Sequence, residues 1–263
     1  MPIGGFSSVI STNPITSFII RVFGTSDLHS HFRVRPLIEW VKANRKILTG
    51  KSIVEIGCGS GTNIFEINQA CPDIAKLYGF DLNKDAIECA NSLKTKLSQE
   101  KVEFFAADCT TYALSEQVDI ILLMDILEHL NRPQEFLSSI VPLLHEKGLV
   151  IISVPTTLYS RYFGKEFHNK VGHVRDGFTL EELTDLLEKS NLSVDTINYN
   201  TGFLASLLCY FYYNLLDKLN VNARFKAVIG WILSIFSFCD YINGPHASCS
   251  MFLVAHRQGS EPN

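Results

Sequence analysis

Three acids stand where three consecutive apolar runs end: Glu55 in VEIGCGSGT, Asp81 in YGFDLN and Asp108 in FFAADCT. Between the first two lies a turn built on Gly57, Gly59 and Gly61. Glycine is unfavourable in ordered backbone unless φ must be positive or a group must come very close. A glycine turn that opens a helix offers such an approach and free amide donors. A carboxylate about 20 residues further on can accept hydrogen bonds from both hydroxyls of a ribose. An acid after the next strand can take an adenine amino group. Taken singly, each acid also reads as a helix N-cap or turn residue, and the glycines as a tight turn. As a set on successive strand ends, they point to a nucleoside-containing ligand. The dinucleotide fingerprint G-x-G-x-x-G needs a third glycine where Thr62 stands, which disfavours a nicotinamide oxidoreductase.

The elements that would position these groups alternate regularly. Strands are expected at Ser52–Ile56, Leu77–Phe80, Val102–Ala106, Val118–Met124, Leu149–Val154, Val194–Tyr199 and Ser250–Ala255. Helices are expected at 28–48, 62–70, 84–97, 133–144 and 180–189, with Pro36 placed in a first turn, Arg33 and Arg35 just before the helix, and Thr179 as an N-cap. Strands alternating with helices imply a parallel sheet covered on both faces. Unbroken apolar stretches such as Ile120–Leu123 suit its central strands. Residues 1–25 read as a lead-in and 26–263 as one domain. Within that domain, 200–245 form an apolar helical insertion before the last strand, carrying FLASLLCYFYYNLL and AVIGWILSIFSFC.

Bulk composition narrows the choice. With 263 residues, 46% hydrophobic and 19% charged, the chain can bury a sizeable core. A net charge of −4 argues against a nucleic-acid footprint. Seven scattered cysteines without a C-x-x-C pair give neither a zinc pattern nor a disulfide framework. A reducing, cytoplasmic setting is therefore expected. No basic region precedes the first apolar residues, so no signal peptide is expected.

The quoted runs resemble, as a set, the class I S-adenosylmethionine-dependent methyltransferases. VEIGCGSGT is similar to their first motif, with Glu55 as its acid, GFDLN to the second and AADC to the third. Residues 119–156 resemble the fourth and fifth motifs, with the LEHL spacing of small-molecule enzymes related to the ubiquinone-pathway O-methyltransferases. GHVRDGFTLEELTDLL resembles the stretch that follows in many of these. The resemblance implies a Rossmann-like α/β fold, with a seven-stranded sheet in the order 3-2-1-4-5-7-6 and strand 7 antiparallel. It implies S-adenosyl-L-methionine as cofactor, held by Glu55, Gly57, Cys58, Gly59, Gly61, Asp81, Leu82, Asp108, Cys109 and Met124. Arg35 is the candidate for the cofactor carboxylate.

Methyl transfer from a sulfonium is an in-line displacement, and an oxygen or nitrogen acceptor also loses a proton. His129 is the first choice for the base and His173 the second, since imidazole titrates near working pH. His168, Tyr159 and Tyr162 are weaker options. A carboxylate beside an imidazole, as in Glu128–His129, suits Mg, Mn or Zn, but two adjacent ligands are not a site, and no metal is expected. MDIL replaces the run typical of enzymes that methylate amino groups on bases or glutamine, so a hydroxyl on a small or lipid-linked acceptor is expected. The rival from another class is a non-catalytic binding protein on the same fold. For the apolar insertion three readings stay open: a cap over the pocket or a homodimer face, a peripheral membrane surface, and a hairpin in the bilayer. Trp231, Tyr210, Tyr212 and Tyr213 would suit an interface in the first two.

Overall fold

The computed structural model describes residues 28–112, 114, 116–163, 172–219, 221, 225, 229–230, 232–233 and 243–259. The lead-in over 1–25, His168 and Trp231 lie outside the described residues.

The chain opens with helix α1 (Leu28–Ala43) and a single turn α2 (Arg45–Leu48). Strand β1 (Ser52–Ile56) leads through the glycine turn into α3 (Thr62–Ala70). Strand β2 (Lys76–Asp81), helix α4 (Lys84–Lys96) and strand β3 (Val102–Ala106) follow. Strand β4 (Val118–Met124) ends in a 3-10 turn at Leu127–His129, before α5 (Pro133–Ile140) and β5 (Leu144–Pro155). A short α6 (Tyr159–Phe163), α7 (Leu180–Glu188), β6 (Leu192–Asn200), α8 (Phe203–Lys218) and β7 (Ser250–Arg257) complete it. The strand order is β3-β2-β1-β4-β5-β7-β6, with β7 antiparallel to both neighbours, as the resemblance implies.

Alternation along each strand splits the core into two layers. Val54, Tyr78, Ile121 and Ile152 face one side, packed by Leu137 and Ile140 of α5 and Leu183 and Leu187 of α7. Ile53, Leu77, Ile120 and Ile151 face the other, packed by Leu37 and Val41 of α1, Ile64 and Ile67 of α3 and Ile87 of α4. Each such fully buried side chain contributes roughly 1.5–3 kcal/mol, so both layers hold the strand ends in a fixed register. A third cluster joins Phe32 of α1, Tyr159 of α6, Ala205, Cys209 and Tyr212 of α8, and Cys249. It seats α8 against the start of α1, above the carboxyl side of the sheet.

Several boundaries differ from the sequence reading. The first helix starts at Leu28 as expected, but Pro36 sits in its interior rather than its first turn, and Arg33 and Arg35 lie inside it rather than before it. The register between β4 and β5 shifts between Val118 and Ile120, which lets β5 begin at Leu144 instead of Leu149. Gly148 permits this irregularity, because a Cβ there would press on the Asp119 carbonyl at 2.8 Å. The expected helix 133–144 ends at Ile140, and Pro142 falls in a following 3-10 turn. Thr179 caps α7 in a full capping box: its hydroxyl accepts from the Glu182 N–H at 3.1 Å, and its own N–H donates to Glu182 Oε2 at 2.9 Å.

Candidate active site

The carboxyl ends of β1, β2 and β4 meet at the glycine turn. Gly57, Gly59 and Gly61 all have positive φ, at 75°, 53° and 77°. At Gly57 the reason is close approach, because a Cβ would run into the Ile126 side chain of the turn after β4. At Gly59 a Cβ would meet nothing within 4 Å, so the missing side chain leaves open space beside the main chain. The turn is tied to β2: the N–H groups of Gly57 and Cys58 donate to the Phe80 carbonyl at 2.7 and 3.0 Å.

Asp81 holds this arrangement from the end of β2. Its Oδ2 accepts the Gly59 N–H at 2.8 Å, and its Oδ1 accepts the Asn83 N–H at 2.8 Å. Asn83, not Asp81, caps α4. A carboxylate has about four acceptor positions, so Asp81 retains capacity for a ligand. Leu82 beside it is 76% exposed, unusual for so large an apolar side chain. After β3, Asp108 turns the chain by accepting the Thr110 N–H and hydroxyl on Oδ1, at 2.9 and 2.7 Å. Cys109, Cys58 and Met124 are buried beneath the same surface. Burial pushes both thiols well above their ordinary range, so neither is a thiolate near neutral pH.

Glu55 is buried, and its Oε1 accepts from Asn63 Nδ2 at 2.6 Å. Oε2 is buried with no hydrogen-bond partner among the described residues. Burial raises its pKa from 4.5 to about 8, against the lowering effect of Asn63 and with a further rise from Asp81. An acid with a raised folded-state pKa takes up protons on folding. Stability is therefore lost as pH rises from 4.5 toward about 8. Glu55→Gln keeps the acceptor for Asn63 and removes the buried charge. Its Tm at pH 8 should rise by about 2–4 °C, with the gain vanishing below pH 4.5, the ordinary carboxyl value. Thermal melts across this pH range check it, and an equal gain at pH 4 would contradict the electrostatic cause.

The second half of the site lies beyond β4. Asp125 adopts φ 57°, with its N–H donated to Ser153 at 2.8 Å. The 3-10 turn that follows buries Glu128 completely and leaves His129 at its rim. The loop from Gly172 closes over this turn: the Val174 N–H donates to the Glu128 carbonyl at 3.0 Å, and His129 Nδ1 lies 3.1 Å from the Gly172 carbonyl. That contact assigns the proton to Nδ1 and leaves Nε2 as the basic nitrogen. The rings of His129 and His173 meet edge to face, centroids 4.8 Å apart, and the Tyr159 ring is 5.1 Å from His173. His173 Nε2 is 3.9 Å from Glu128 Oε1.

Charge and burial set the protonation of these groups. Burial pushes the Glu128 carboxyl above its ordinary range, with Arg33 and Arg175 acting against it. Burial holds His129 below its ordinary value, against the contact with Gly172 and assisted by Arg33. Glu128, His129 and His173 each offer one ligand atom within 4.8 Å of one another. His173 is the partner that adjacency in the sequence did not supply for Glu128–His129. Arg35, by contrast, pairs with Glu39 on α1 at 2.7 Å, whereas Arg33 ion-pairs with Asp125.

A profile of the methyltransferase-domain family matches residues 47–202. The chain belongs to this family. It is a class I S-adenosylmethionine-dependent methyltransferase, with the sheet order of that fold. The methyltransferase is 28% identical over 211 residues to a ubiquinone biosynthesis O-methyltransferase of Pelagibacter ubique, spanning 76% of this chain and 82% of that protein. Matches to proteins of the same name from Rickettsia bellii span about half of each. Among solved structures, the methyltransferase superposes on magnesium protoporphyrin IX methyltransferase of Synechocystis, with bound S-adenosylhomocysteine. The TM-score is 0.56, at 16% identity over 94% of this chain and 89% of that one. It also superposes on the cyclase SpnF, with TM-score 0.60 and 15% identity over 86% of this chain and 82% of that one. These structural likenesses concern the fold.

Proposed function

We propose that the enzyme methylates a hydroxyl group on a small or lipid-linked acceptor, with His129 taking the acceptor proton. The cofactor supplies the electrophilic methyl group. Glu55 Oε2 would receive its ammonium, Asp81 its ribose hydroxyls and Asp108 its adenine amino group. Gly59 would leave room for the amino-acid end, and the exposed Leu82 would lie against the base. The observation that carries the acceptor reading is the constellation beyond β4, with buried Glu128 beneath exposed His129. There an imidazole with a free Nε2 and a lowered pKa stands beside a second imidazole and a buried carboxyl. Neutral imidazole at pH 7 can accept a phenolic or alcoholic proton as the methyl arrives. Names of relatives that are ubiquinone-biosynthesis O-methyltransferases support the same class of acceptor.

The test is transfer of labelled methyl from S-adenosylmethionine to catechols, simple phenols, prenylated phenols and amines, each offered separately. O-methyl products from the phenols would support the proposal, and N-methyl products alone would overturn it. The triad Glu128, His129 and His173 also supports a second use, a divalent cation beside the acceptor oxygen. Loss of turnover in EDTA with recovery on Mg or Mn would favour that use.

The lipid-linked arm rests on α8. Its inner face buries Ala205, Ser206, Cys209 and Tyr212, while Phe203, Leu207, Tyr210 and Phe211 line the outer face. Among the described residues no helix is long and apolar enough to cross a membrane. An apolar stripe of this size on a one-sided helix suits a lipid surface or a second copy of the chain. Flotation with phospholipid vesicles supports the first. A dimer in sedimentation with no flotation supports the second.

A further inference from the structure

Arg33 belongs to none of the roles above, yet it reaches into the site from a separate element. It projects from the first half of α1, between the buried Phe32 and Val34. Its guanidinium ion-pairs with Asp125, and both side chains are largely buried, at 19% and 16% exposure. Asp125 is held in the left-handed region, which costs an aspartate about 1 kcal/mol or more unless its surroundings fix it. The residue after it, Ile126, rests on the bare α-carbon of Gly57. The next turn carries Glu128 and His129. The Arg33 charge also acts on Glu128, His129 and Tyr159, groups from two different elements.

We propose that Arg33 is a positioning residue: through Asp125 it locks α1 onto the turn that carries Glu128 and His129, so that the acceptor side of the site is in register only when α1 is seated. One ion pair then joins three things: the helix above the cleft, the turn bearing the acceptor groups and the glycine turn below it. The proposal concerns the architecture of the turn, so it stands whether or not His129 is the base.

Hydrogen exchange on the full chain tests it without an acceptor. In Arg33→Gln, amides over 125–130 and over α1 should exchange about tenfold faster or more, while those of β4 and β5 keep wild-type protection. Asp125→Asn should do the same, and the double variant should be no worse than either single one, as two partners in one interaction require. Affinity for S-adenosylhomocysteine should change by less than about threefold, and kcat on any phenol found to turn over should fall more than KM rises. Unchanged exchange over 125–130 in both single variants would overturn the proposal, and so would additive effects in the double variant. Where Arg33→Gln loses core protection as well, Asp125→Asn alone carries the test. A failed methyl-transfer assay alongside the expected exchange pattern would reject the acceptor reading and keep the lock.

Discussion

Replacing His129 with alanine is expected to lower kcat by about 10²–10⁴-fold, the range a general base contributes. Affinity for S-adenosylhomocysteine should stay near wild type, because the glycines and Asp81 proposed to hold the cofactor lie on other strand ends. The pH profile should carry the same assignment. Imidazole acts as a base only when neutral. Burial holds the His129 pKa below 6.5, against the contact with the Gly172 carbonyl and with help from Arg33. The rate should therefore rise with pH on a limb centred below 6.5 and level off above it. In His129→Ala that limb should disappear along with most of the turnover. A limb that survives in the variant would move the base to His173. A variant of wild-type rate would remove a histidine base from the reaction.

Asp81→Ala should produce the second large effect, on binding. Loss of the carboxylate proposed to accept from the ribose would weaken S-adenosylhomocysteine by about 1.5–3 kcal/mol, roughly 10–150-fold in Kd. The same substitution releases the Gly59 and Asn83 N–H groups that the carboxylate now holds. Asp81→Asn separates the two contributions, since it keeps one oxygen acceptor and loses the charge. It should fall between wild type and alanine. Calorimetric titration reads all three proteins, and unchanged affinity in a folded Asp81→Ala would remove the ribose assignment.

What could be read from the chain, and what could not, divides by range. The glycine turn and its acids were legible because each is a local event. Glu55 lies near the end of β1, Asp81 ends β2 and Asp108 stands two residues beyond β3, and strand ends are marked by apolar runs that stop abruptly. The double layer of helices was legible for the same reason, since Ile53 and Val54 must face opposite sides once the sheet is parallel. The acceptor side was legible only in part. Glu128–His129 announced itself by adjacency, but His173 joins them from a loop more than forty residues away, through the contacts of Gly172 and Val174 with that turn. The choice between Arg33 and Arg35 was not legible at all. It turns on a long-range contact: Arg33 meets Asp125 just beyond β4, while Arg35 pairs with Glu39 on the same helix. Asp81 read as a cap for α4, and Asn83 took that part because a ladder extended to Asp81 leaves two residues before the helix.

The antiparallel hairpin of β6 and β7 closes on itself. Pairing runs from Leu192 opposite Arg257 to Asn200 opposite Ser250, and the Cys249 N–H then donates to the Thr201 carbonyl at 2.9 Å. The chain thus leaves the sheet after Thr201 and returns to it at Cys249 through one stitched point, with α8 among the described residues between them. The free energy of closing such a loop changes only slowly with its length, by about 0.6 kcal/mol for each doubling. The part that carries α8 is therefore exchangeable. A lineage could lengthen, shorten or replace it while the strands that carry the glycine turn keep their register.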